Sequence, residues 1–123
     1  MANDYQKAKE KFIQEFDLDP GDEHSQDWEY EAANADKVET FLRYYKEREL
    51  APQEKRMLIK LLLESYNDYV SQRGFDPYYS LAIKYLLKEN RELVADIIQE
   101  WACEGAAEDD SFYISALVRE AME

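Results

Sequence analysis

Cysteine, histidine, glycine and proline are all scarce in this 123-residue chain, and each scarcity closes off a class of protein. The lone Cys103 forbids an internal disulfide, leaves too few thiolates for a structural zinc site and fits a reducing compartment. Cys103 also has no basic neighbour in sequence to activate it, so it is expected to be an inert, buried or half-buried thiol. His24 is the one histidine, so no paired-histidine metal site can form, and it reads as a loop side chain. Three glycines leave no phosphate-cradling loop of the GxGxxG or Walker kind. Three glycines and three prolines beside 14% aromatics argue against both a disordered chain and a turn-rich β-sandwich. No window approaches 18 uninterrupted apolar residues, and the N-terminal stretch lacks the apolar centre of a signal peptide, so the chain reads as a soluble, cytoplasmic protein. Basic residues are also few: 15 Lys plus Arg stand against 28 Asp plus Glu, a formal charge of −13 that disfavours direct contact with nucleic acid or anionic membranes.

What remains is helical. Tyr5, Ala8, Phe12, Ile13 and Phe16 recur at steps of three and four, predicting an amphipathic helix over residues 3–17 with lysines on its outer face, ended by Asp19-Pro20-Gly21-Asp22. Trp28, Ala32, Ala35, Val38, Phe41, Leu42 and Tyr45 continue the period after a Ser25 N-cap, with a possible interruption at Asn34-Ala35-Asp36. Pro52 opens the most apolar helix, carrying Met57, Leu58, Leu61, Leu62, Ser65, Tyr69 and Val70 up to Gly74. Asp76 followed by Pro77 opens a fourth, expected to turn Tyr78, Leu81, Ala82, Tyr85 and Leu86 inward, and Asn90 is expected to close it and cap the next. Leu93, Val94, Ile97, Ile98 and Trp101 form a fifth stripe stopped by Gly105. Asp109 or Asp110 caps a sixth with Phe112, Ile114, Leu117, Val118 and Ala121. The expectation is a single all-α domain over residues 1–123: an irregular bundle or a short helical-hairpin array of about six helices.

The charge is segregated. Residues 1–50 hold 14 acids against 7 bases, residues 51–90 five against six, and residues 91–123 nine against two. No base interrupts Glu15 to Glu31, and none interrupts Glu92 to Val118, where Glu92, Asp96, Glu100, Glu104 and Glu108 recur at steps of four and would share a helix ridge. Solubility requires net charge without requiring segregation of sign, so two base-free acidic blocks point to a cationic partner. Ten tyrosines add rigid contact area with polar tips, and in the adjacent pairs Tyr44-Tyr45 and Tyr78-Tyr79 only one ring of each can face the core. Catalytic and metal sites find little support. Asp17-Leu18-Asp19-Pro20-Gly21-Asp22 misplaces the glycine of a calcium loop and puts Trp28 where the bidentate glutamate belongs. No cofactor is expected.

The stretch Ile97-Ile98-Gln99-Glu100-Trp101-Ala102-Cys103, the acidic Glu108-Asp109-Asp110, then Ser111-Phe112-Tyr113-Ile114-Ser115 and Val118-Arg119 resemble the tail of small all-helical immunity proteins from bacterial contact-dependent growth inhibition and related polymorphic toxin systems. Leu61 to Tyr69 and Tyr85 to Asn90 share that likeness, which spans roughly residues 50 to 120. The resemblance implies a non-catalytic inhibitor that occludes one cognate toxin domain, frequently a nuclease. The candidate partner-binding residues are Glu92, Asp96, Glu100, Glu104, Glu108, Asp109 and Asp110, a second patch of Asp22, Glu23, Asp27 and Glu31, and the aromatic Tyr79. The other classes in view are an acidic adaptor or nucleic-acid mimic that titrates a DNA- or RNA-binding protein, and an enzyme whose pocket would gather carboxylates with Tyr or Cys103.

Overall fold

The computed structural model describes residues 4–18, 28–103 and 112–122, and every regular element among them is helical. In chain order these are α1 (Asp4–Phe16), α2 (Trp28–Ala32), a 3-10 turn (Ala35–Lys37), α3 (Val38–Glu47), α4 (Pro52–Arg73), α5 (Pro77–Glu89), α6 (Ala95–Ala102) and α7 (Ser115–Ala121). The chain is therefore all-α, as its periodicity predicts.

The expected second helix is two helices, because Asn34 leaves helical geometry at φ −150° and ψ 117°. Its Oδ1 accepts the Asp36 N–H at 2.8 Å, while its own N–H donates to Ser65 Oγ at 3.0 Å. Local side-chain bonding of this kind competes with the helical ladder. The residue thus starts a new turn and staples it to α4.

Helix α4 is the centre. Met57, Leu58, Ile59, Leu61, Leu62, Leu63, Ser65, Tyr66 and Val70 are buried, covering nearly the whole circumference of its middle turns. A helix apolar all round must be surrounded, and α1, α2, the 3-10 turn and α3 all pack on it. Helix α5 packs on α3 and α7, and α7 on α6. Because α1 reaches α4 across two intervening helices, the arrangement is an irregular bundle. Pro52 occupies the first turn of α4, where its missing N–H costs nothing, and Glu54 Oε1 accepts the Ala51 N–H at 2.9 Å. Gly74 closes α4 at φ +83°, a left-handed conformation that glycine adopts without strain.

Several expectations need correction. Lys9 lies inside, its ammonium 5.6 Å from the centroid of buried Trp28, so the lysines of α1 are not all on its outer face. Asn90 closes α5 with its N–H on Leu86 O, but its side chain turns back to Leu86 O and Tyr45 Oη instead of capping the next helix, and α6 begins only at Ala95. Helix α6 stops at Ala102 with Cys103 left-handed at φ +50°. The largest correction concerns α5, whose buried residues are Ile83, Leu86 and Leu87, while Tyr78, Leu81 and Tyr85 face outward. The expected stops and caps at residues 19–22, Ser25, Gly105, Asp109 and Asp110 lie outside the described residues.

Candidate partner-binding surface

The basic residues explain how the acidic excess reaches the surface. Helix C-termini present unpaired carbonyls with partial negative charge, which cations satisfy. Lys37 donates to Phe16 O at 2.7 Å at the end of α1. Arg119 donates to Ala102 O at 2.6 Å and Cys103 O at 3.0 Å at the end of α6, and Arg91 to Ala121 O and Met122 O at the end of α7. Other cations bridge helices: Lys11 to Glu54 at 2.5 Å, Arg73 to Asp36 at 2.5 Å and Lys84 to Glu120 at 3.0 Å. Burial alone pushes Glu54 up, but the Lys11 ammonium and the Ala51 N–H outweigh it and leave the carboxyl below its usual range. Lys46 and Arg48 lie over the rings of Tyr78 and Tyr44. With Lys9 on Trp28 and Arg56 on Asp96, nine of the fifteen bases touch a segment other than their own.

Among the candidate acids, Glu92, Glu100 and Glu31 are exposed, and no Lys or Arg among the described residues pairs with them. Asp96 differs. Arg56 on α4 grips it with two parallel bonds of 2.8 Å and also donates to Leu93 O at 2.7 Å. Arg56 holds the Asp96 carboxyl down at about 2. The stretch that contains no base in sequence therefore meets one in space, and Asp96 serves the fold. The four-step ridge is also shorter than expected: Asp96 and Glu100 lie on α6, whereas Glu92 precedes it in the 91–94 turn. Within the first acidic block, Glu29 is buried and accepts the Tyr5 hydroxyl at 3.2 Å, leaving Glu31 to face solvent. Glu104, Glu108, Asp109, Asp110, Asp22, Glu23 and Asp27 lie outside the described residues.

The Asp96 pairing has a pH signature. The carboxylate is bound more tightly folded than unfolded, so its contribution is complete above about pH 5, shrinks as pH falls through the ordinary aspartate range and is gone below about pH 2. Asp96 is largely exposed, so screening holds the pair to about 1 kcal/mol or less. Replacing Arg56 with alanine should flatten the loss of stability between about pH 5 and pH 2, read from urea midpoints. Parallel pH profiles for parent and variant would show that the contact carries no energy.

Tyr79 is half-buried, its ring 5.4 Å from Tyr69 and 6.2 Å from Tyr66, and its N–H bonded to the Asp76 cap at 3.0 Å. It packs the joint between α4 and α5. The exposed apolar surface lies one residue away: Tyr78, Leu81 and Tyr85 are 61%, 68% and 72% exposed. With Ala82 they line a groove of about 410 Å³ against Leu42 and Tyr45 of α3. A signal for this is present in the sequence, since α5 carries two interleaved apolar stripes, 79/83/86/87 and 78/81/82/85, and a helix at the bundle's edge can bury only one. Among the described residues no group of three or more His, Cys, Asp and Glu could hold a metal ion, and no helix is long and apolar enough to cross a membrane. Cys103 is half-buried, with its thiol on Glu100 O at 3.5 Å.

No family model, curated protein or solved structure matches this chain.

Proposed function

We propose that this chain is a non-catalytic inhibitor of the immunity-protein kind, which docks its acidic surface on the basic substrate cleft of a cognate toxin domain, most simply a nuclease. The observation that carries this reading is the division of labour among charges. Cations such as Lys37, Arg91, Arg119, Lys11, Arg73 and Lys84 are tied to helix ends and to inter-helix pairs, and carboxylates such as Glu31, Glu92 and Glu100 are left outward without a counter-ion among the described residues. A net charge of −13 attracts a cationic domain out to about one Debye length, roughly 30 Å at 10 mM salt, and raises the encounter rate. A nucleic-acid mimic would space free carboxylates along an extended stripe; among the described residues α6 spans only Ala95–Ala102, and one of its two ridge acids is already paired with Arg56. That difference favours a selective inhibitor.

The test is co-expression with the product of the gene adjacent to this chain's own, which the reading expects to carry a basic toxin domain. The reading expects a complex that survives purification and abolishes the domain's activity in proportion to occupancy. Recovery of the two proteins separately, with full toxin activity, would refute it.

A further inference from the structure

We propose that the outward face of α5 is a two-fold self-association site, on which a second copy of this chain lays its own α5 antiparallel. Three observations carry the proposal. The exposed stripe has the same residue classes in both directions: Tyr78 and Tyr85 stand at equal sequence distance on either side of Leu81 and Ala82. A two-fold axis lying in the interface and crossing α5 between Leu81 and Ala82 therefore sets Tyr78 against the partner's Tyr85 and leaves the small Ala82 side chain at the point of closest approach, which is the self-complementarity an isologous contact requires.

The polar ends of the groove obey the same symmetry. Lys46 sits at the Tyr78 end, its ammonium 5.4 Å from that ring's centroid and donating to the Tyr78 hydroxyl at 3.2 Å. Glu89 sits at the other end, accepting the Tyr45 hydroxyl at 3.1 Å. Inverting one copy on the other brings each Lys46 opposite the second copy's Glu89, so the pairing joins unlike charges twice.

The third observation is electrostatic at longer range. A chain of charge −13 repels its own copy nearly everywhere. Helices α3 and α5, which build the groove, carry Arg43, Lys46, Lys84 and Lys88 against Glu39, Glu47 and Glu89. With four bases against three acids these two helices are close to neutral, so two copies can meet there without setting like charge against like. The groove's apolar residues gain nothing from the basic partner proposed above, so self-association goes beyond that function and would leave the acidic ends open.

Sedimentation equilibrium of the purified chain, loaded from about 5 μM to about 500 μM, decides the matter. A monomer–dimer equilibrium is expected, and Leu81→Glu, at an exposed position, should raise its dissociation constant about 30-fold or more without moving the unfolding midpoint. Tyr85→Ala should weaken it in the same way should Leu81→Glu disturb folding. Lys46→Glu and Glu89→Lys should each weaken the dimer by about tenfold, and the double variant should recover affinity to within about threefold of the parent. A monomer at every concentration overturns the proposal, as does a dimer indifferent to Leu81→Glu and Tyr85→Ala. Failure of the double reversal to restore affinity overturns the antiparallel two-fold arrangement. None of these readings involves the toxin domain, so they stand or fall apart from the inhibitor function.

Discussion

Replacing Tyr66 with alanine is expected to cost about 3–5 kcal/mol of folding stability, a large share of the roughly 5–15 kcal/mol typical of a whole domain. Tyr66 is fully buried, and its ring meets those of Tyr69, Phe75 and Tyr79 at 5.8, 6.5 and 6.2 Å. Its hydroxyl organises the turn that leads into α5: it accepts the Asp76 N–H at 2.9 Å, donates to Asp76 O at 3.1 Å and meets Ser80 Oγ at 2.5 Å. Tyr66→Phe keeps the ring and strips those partners, so its loss should be smaller, about 1–3 kcal/mol for backbone groups left unpaired in a half-buried turn. Urea unfolding of both variants separates packing from hydrogen bonding. Equal losses would assign the whole effect to the hydroxyl; no loss in Tyr66→Ala would contradict the burial of this ring. Because the same turn aims α5, Tyr66→Phe should also weaken whatever binds Tyr78, Leu81 and Tyr85.

Reversing Glu92 and Glu100 together to lysine is expected to slow association with a basic partner by about tenfold or more at low salt, the scale of electrostatic steering. Both side chains are exposed and pair with no cation among the described residues, so stability should move by no more than about 0.5 kcal/mol. Asp96 is the wrong residue for this experiment despite lying on the same helix face as Glu100. A lysine there would stand against Arg56 and leave that guanidinium without its carboxylate, which confounds binding with stability. Stopped-flow association of the double variant gives the rate directly. An unchanged on-rate would remove Glu92 and Glu100 from the docking surface.

The helices legible in the sequence are those with strong punctuation. Pro52 and Gly74 bracket α4, and Asp76 with Pro77 begins α5, because proline, glycine and an N-cap aspartate each act through their own backbone geometry. The features that escape a sequence reading depend on residues far apart in the chain. Arg56 and Asp96 are 40 positions apart, so an acidic run read along the chain shows no partner. Lys9 counts as an outer lysine by period, yet Trp28 covers it. Helix α5 shows apolar residues on both faces, and only the packing of α3 and α7 decides that Ile83 goes in and Leu81 goes out. The acidic candidates that look alike in sequence consequently have different roles: Asp96 fastens α6 to α4, while Glu31, Glu92 and Glu100 remain available. In the pair Tyr78-Tyr79, Tyr79 packs against Tyr66 and Tyr69 and Tyr78 is the ring that faces solvent.

The most direct test of an outward acid excess that captures a basic domain is the ionic-strength dependence of the association rate between this chain and the basic domain that co-purifies with it. Long-range attraction predicts a rate that falls about tenfold or more as salt rises from about 20 mM to about 500 mM, with a dissociation rate that changes far less. An association rate that stays level across that range, or the recovery of no such domain, would contradict the account.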